Sequence, residues 1–191
     1  TPKLENAARW MLGPILPTGD RRNAPYTHRR FLVAAGWLGV AQLSSDEELK
    51  KRLMGAANER IEDGLKQLRE DGTMPEKDGY DANYQAVSAL FMARLLSNEL
   101  LSEEQRAALR EALPKVLNRA AQSVDASGEV DLSDSSRTAN ETGRSGAAKK
   151  LDHRSWAQAY IFGGKITGNA AHRETAKKVL AKRGWLAANF S

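Results

Sequence analysis

The 191-residue sequence contains no cysteine. Disulfides, thiolate nucleophiles and cysteine-ligated metals are thereby excluded. Histidine is scarce too. His28, His153 and His172 are far apart and lack metal-ligand spacing, so neither a metal nor a cofactor is expected. No apolar run approaches the roughly 18 residues needed to span a bilayer, so no membrane span is expected. A Gly-rich phosphate loop, a His-Glu-x-x-His helix and a nucleophile elbow are all missing. No signal peptide is visible, and Thr1-Pro2-Lys3 leads straight into a polar helix start. A first residue other than Met suits a trimmed mature form or a cut piece, which tips the reading slightly towards a periplasmic or secreted protein.

What is present reads as a globular chain, with 41% hydrophobic and 28% charged residues. The length suits a single domain, residues 1–191, with a sizeable core. The formal charge of +5 favours anionic partners: an acidic polysaccharide, nucleic acid or an anionic membrane surface. It serves solubility equally well.

Apolar spacing is helical nearly throughout. Leu4, Ala8, Met11 and Leu12 form a first stripe, stopped by Gly13-Pro14, and a polar loop runs from Pro17 to Pro25. Phe31, Ala34, Ala35, Leu38 and Ala41 mark a second helix. Ser45 with Glu48 has the form of a capping box ahead of Leu49, Leu53, Ala57, Ile61, Leu65 and Leu68, and Asp71-Gly72 is the expected stop. Tyr80, Tyr84, Val87, Phe91 and Leu95 mark a fourth helix. Ser102 with Gln105 opens a fifth, in which Pro114 predicts a kink or break. Residues 128–132 alternate like a short extended piece. A flexible Ser/Gly-rich loop is expected at 133–150, carrying Arg137, Asn140, Arg144, Lys149 and Lys150. Its Asn140-Glu141-Thr142 is a glycosylation acceptor only in a eukaryotic secretory protein. A sixth helix starts near Leu151-Asp152, with Gly163-Gly164 either weakening it or letting another helix approach closely. The last runs from about Ala170 to Arg183 and stops at Gly184. Trp10, Trp37 and Trp185 are expected in the core.

A degenerate repeat of roughly 50–70 residues emerges, longer than tetratricopeptide or HEAT-type units. Polar and aromatic residues open alternate helices at Tyr26–Phe31, Tyr80–Gln85 and Asp152–Trp156. The fold class is all-α: about three antiparallel helical hairpins.

The segment Asp71–Leu96, with its Gly-Tyr-Asp-Ala-Asn-Tyr-Gln run at 79–85, resembles the loop and inner helix of α/α-toroid proteins. These include alginate-lyase-like polysaccharide lyases and six-hairpin glycosidases. The similarity covers mainly 60–97, and more loosely 26–43 and 120–167. A full toroid needs five or six hairpins, so the resemblance implies an incomplete toroid or a helical bundle. It also implies a carbohydrate site at one mouth of the helices and, were the chain an enzyme, lyase or glycoside-hydrolase chemistry.

The residue chemistry agrees with such a mouth. Helix N-termini favour anions. Tyr84, His28 and His153 can move protons and are the catalytic candidates. Arg30, Asn83 and Arg154 can neutralise a carboxylate, and Tyr80 and Trp156 offer flat apolar faces for a sugar. Each has a plainer role beside it. Asp81 suits an N-cap better than a catalyst, Tyr84 lies on the apolar stripe, and the histidines suit solvated helix starts. Three readings stand: binding and cleavage of an acidic polysaccharide, a helical module that binds a protein in its groove, and nucleic-acid binding through Lys177, Lys178, Lys182 and Arg183. The third is disfavoured because no aromatic residues interleave that basic face.

Overall fold

The computed structural model describes residues 2–15, 21–143 and 145–184, so Arg144, Trp185 and part of the Pro17–Pro25 loop lie outside the described residues. Helix α1 (Pro2–Trp10) runs into a π-type turn, Met11–Ile15, interrupted by non-helical Gly13. Then follow α2 (Thr27–Leu43), α3 (Glu47–Leu65), α4 (Ala82–Leu96), α5 (Glu103–Ala121), α6 (His153–Thr167) and α7 (Ala170–Lys182). The described residues form no strand, so the fold is all-α as the periodicity predicts. An isolated bridge between Val124 and Val130 marks the short extended piece near 128–132.

Tight connections pair α2 with α3, α4 with α5 and α6 with α7 as three antiparallel hairpins. Helix α4 packs against both α2 and α6, making one row, while α5 packs against α3 and α7, making a second row behind it. The core lies between the rows. Phe31, Leu38, Leu49, Leu53, Ile61, Leu95, Leu109 and Leu113 are fully buried there. Each such side chain contributes roughly 1.5–3 kcal/mol of transfer free energy.

Several local expectations change. Asp46, not Ser45, caps α3: its carboxylate accepts from the Leu49 N–H at 2.9 Å and pairs with Arg9, while Ser45 is exposed. A carboxylate outranks the hydroxyl one residue back because it also meets the charge on α1. Helix α3 ends at Leu65, short of Asp71-Gly72. Ser102 does cap α5, but the reciprocal half of that box is missing, since buried Gln105 Oε1 has no partner. Helix α5 is continuous through Pro114. Trp37 is in the core, whereas Trp10 is 57% exposed, because the short α1 lies at the margin of the two rows. Gly163 serves close packing: a Cβ there would sit 2.6 Å from Leu117 Cδ1 on α5.

Candidate functional site: a buried Glu–His pair at the start of α2

Because the helices of one row run parallel, α2, α4 and α6 begin at the same end of the molecule. The two long connections, 66–81 and 122–152, cover that end. The first is pinned on both sides. Thr27 Oγ1 donates to the Pro75 carbonyl at 2.6 Å and the Lys77 N–H to that of Pro25 at 2.8 Å. From the other side, Ser136 Oγ donates to the Glu76 carbonyl and its N–H to that of Tyr80. Glu76 and Gly79 close a tight turn that places Lys77 and Asp78 in the left-handed region, at φ 51° and 68°. This strained turn delivers the Glu76 side chain inward.

Glu76 is fully buried. Its Oε1 accepts from the His28 backbone N–H at 2.9 Å and contacts His28 Nδ1 at 2.7 Å; its Oε2 accepts from Arg137 Nη1 at 2.8 Å. The carboxylate thus holds His28 by its ring Nδ1 and its backbone N–H, and is itself neutralised by a guanidinium. With Nδ1–H donated to the carboxylate, a neutral ring carries its lone pair on Nε2. Nε2 has no hydrogen-bond partner among the described residues and is not sealed from solvent. The Tyr84 ring stacks on His28, with centroids 4.3 Å apart and planes 23° from parallel. The Tyr84 hydroxyl makes no hydrogen bond among the described residues.

Arg137 lies between two aromatic faces, 4.2 Å from the centroids of both Tyr26 and Tyr84. Its Nε also approaches Glu141 at 3.3 Å. Glu141 serves Lys77 at 2.5 Å and Lys149 as well. Burial disfavours its charge, but these lysine hydrogen bonds and the Arg137 charge outweigh that and hold its pKa down to about 2. Three cations around one carboxylate, with Arg29 over Tyr26 at 4.4 Å, leave the surroundings of His28 net positive once Glu76 is counted.

The residues singled out from sequence divide into three groups. His28 and Tyr84 come together. His153 does not join them; it lines a separate cavity with Lys150 and Arg183. Arg154, on the same helix turn, is exposed. The other four are engaged in holding the fold. Trp156 is fully buried and packs on Tyr160, because position 156 faces between the rows. Tyr80 is buried with its hydroxyl on Ser123 Oγ at 2.7 Å and Arg119 over its ring. Asn83 is 8% exposed and its Oδ1 accepts from the Asp152 N–H, tying α6 to α4. Arg30 pairs with Asp63 at 2.5 Å and donates to the Ala24 carbonyl.

Asp81 is the N-cap of α4, accepting from the Tyr84 N–H at 3.0 Å. The same carboxylate also takes the N–H groups of Arg137 and Thr138 and the Thr138 hydroxyl. It therefore fastens the loop 133–150, in which Ser135, Arg137 and Thr138 are buried. Glu76 and the burial of Arg137 are what sequence reasoning missed. A Glu between Pro75 and a Lys-Asp-Gly turn has the look of a solvated loop residue, and only the crossing of three distant segments buries it.

Among the described residues no group of His, Asp and Glu converges to hold a metal ion, and no helix is long and apolar enough to cross a membrane. The basic face of α7 is partly neutralised, with Lys177 on Glu174 and both Lys182 and Arg183 near Glu129. No family model matches the sequence, and neither a curated protein nor a solved structure matches it.

Proposed function

We propose that the protein binds an acidic polysaccharide where α2, α4 and α6 begin, and cleaves it by elimination with His28 and Tyr84 as the proton-transfer pair. One observation carries this reading: a buried carboxylate holds His28 at Nδ1, and the ring so held stacks on Tyr84, with no hydrogen-bond partner among the described residues for either His28 Nε2 or the Tyr84 hydroxyl. An orienting carboxylate, a histidine and a second proton-active group are the parts that acid–base chemistry requires. In the elimination, His28 Nε2 removes the proton next to the uronate carboxylate. The electron pair forms the carbon–carbon double bond, and the glycosidic carbon–oxygen bond breaks. The Tyr84 hydroxyl supplies a proton to the leaving oxygen. Lys149, whose Nζ lies 5.8 Å from the centre of the Tyr84 ring, is the cation placed to offset the substrate carboxylate.

The test is titration with alginate-type and polygalacturonate oligosaccharides at low salt, together with ultraviolet absorbance of the unsaturated product. Tyr84→Phe and His28→Ala are expected to retain binding and lose elimination. Binding by the wild-type protein should weaken with salt, as screening shortens the reach of exposed charges. Absence of binding to any acidic oligosaccharide by the folded protein would remove this reading.

A second reading rests on a different observation. Leu32, Ala35, Phe91 and Leu95 line a shallow groove of about 420 Å³ between α2 and α4, and Leu32 is 42% exposed. Such a groove suits a protein-interaction module, and it is the reading that gains if no oligosaccharide binds.

A further inference from the structure

A separate cavity, linked to the surroundings of Tyr84 through Lys149, lies between the loop 133–150 and the start of α6. Its volume is about 500 Å³, within the roughly 300–1,000 Å³ usual for small-ligand sites. Lys149, Lys150, His153 and Arg183, with the single carboxylate of Glu129, contribute its polar wall, and Val130 and Leu132 contribute apolar surface. Lys150 has no ion pair among the described residues. Arg183 shares a single carboxylate, Glu129, with Lys182, at 3.5 Å and 3.6 Å. Cations therefore outnumber carboxylates here. Burial, and then the Arg183 charge, lower the His153 pKa against the opposing pull of Glu129 and Asp152. Lys149 belongs to both places: it lines this cavity, and its Nζ also approaches the Tyr84 ring.

We infer that this cavity is a second subsite for an acidic sugar, taking a uronate unit of the same chain that passes His28 and Tyr84. The inference rests on the function proposed above and adds direction to it: the polymer runs from the start of α2 across Lys149 to the start of α6. Apolar surface beside lysine and arginine matches a sugar ring that carries a carboxylate. A neutral His153 can share a hydroxyl hydrogen without adding charge.

The experiment is calorimetric titration with mannuronate disaccharide and hexasaccharide at low salt. It compares the wild-type protein with Lys150→Gln/Arg183→Gln and with Lys150→Gln alone, each checked by circular dichroism. In the wild-type protein the hexasaccharide should bind more tightly than the disaccharide. The double variant should weaken hexasaccharide binding about tenfold, as two exposed charge contacts warrant, and leave the disaccharide unchanged. The single variant should show a smaller loss in the same direction. Equal wild-type affinity for both lengths, unchanged hexasaccharide affinity in the variants, or an equal loss at both lengths would overturn the subsite while leaving the proposed function standing. No binding of either length to the wild-type protein would overturn the mannuronate subsite, and no binding of polygalacturonate oligosaccharides as well would remove both.

Discussion

Replacing Arg137 by Ala strips the buried Glu76 carboxylate of its cation. Arg137 has a side-chain exposure of 4%, and Glu76 has none. Breaking such a pair from one side costs roughly 3–5 kcal/mol, because the remaining charge stays buried without compensation. The guanidinium also stacks on Tyr26 and Tyr84, each contact worth about 0.5–2 kcal/mol, part of which the same figure already contains. A loss near 4 kcal/mol is therefore expected. With a urea slope of about 2 kcal/mol per molar, the unfolding midpoint should fall by about 2 M. Adding Glu76→Gln removes the stranded charge, so the double variant should lose less than the two single changes added together, by about 1–3 kcal/mol. Urea denaturation followed by circular dichroism measures all four proteins. A loss below about 1 kcal/mol for Arg137→Ala, or strict additivity in the cycle, would refute the view that this pair anchors the loop and orients His28.

Asp81→Ala should cost about 2–4 kcal/mol, more than an ordinary N-cap, since it orphans donors from Thr138 and Arg137 as well as the Tyr84 N–H. Ser45→Ala should stay within about 0.5 kcal/mol, because Ser45 is exposed and the cap is Asp46; thermal denaturation that reverses this order would contradict the capping assignments. Glu141→Gln should lower stability at neutral pH by roughly 1–2 kcal/mol after solvent screening. The folded pKa of Glu141 is depressed from 4.5 to about 2, so its contribution is present above about pH 4.5 and vanishes as pH falls through about 2. Urea titrations at pH 7 and pH 2.5 should show the gap between wild type and variant shrinking, and a gap that widens in acid would reject the assignment.

Helix spacing made the hairpins legible. The stripes at Phe31–Ala41, Leu49–Ile61 and Leu109–Val116 recur every three or four residues, and that period alone predicts which faces are buried. Caps were legible wherever one polar residue stood alone, as at Asp81 and Ser102. They were not legible where Ser45 and Asp46 competed, because the outcome depended on Arg9 of another helix. The site was half legible. His28 and Tyr84 stand at helix starts, and the repeat marks those starts. Trp156 and Tyr80 also stand at such starts, yet α6 turns Trp156 inward and the connection ahead of α4 buries Tyr80 against Ser123 and Arg119. Glu76 could not be found, since its burial is created by Pro25, Thr27, Ser136 and Arg137 meeting across more than a hundred residues of chain.

With only three histidines, the imidazole signals of the protein form a simple nuclear magnetic resonance spectrum. His28 sits at the proposed centre, His153 lines the proposed second subsite, and His172 is buried between Asn118 and Thr167. Stepwise addition of a mannuronate disaccharide should move the His28 ring signals and leave His172 in place. A hexasaccharide should move those of His153 as well. If the sugar binds and the His28 signals stay where they were, the claim that the Glu76-held histidine faces the substrate is wrong.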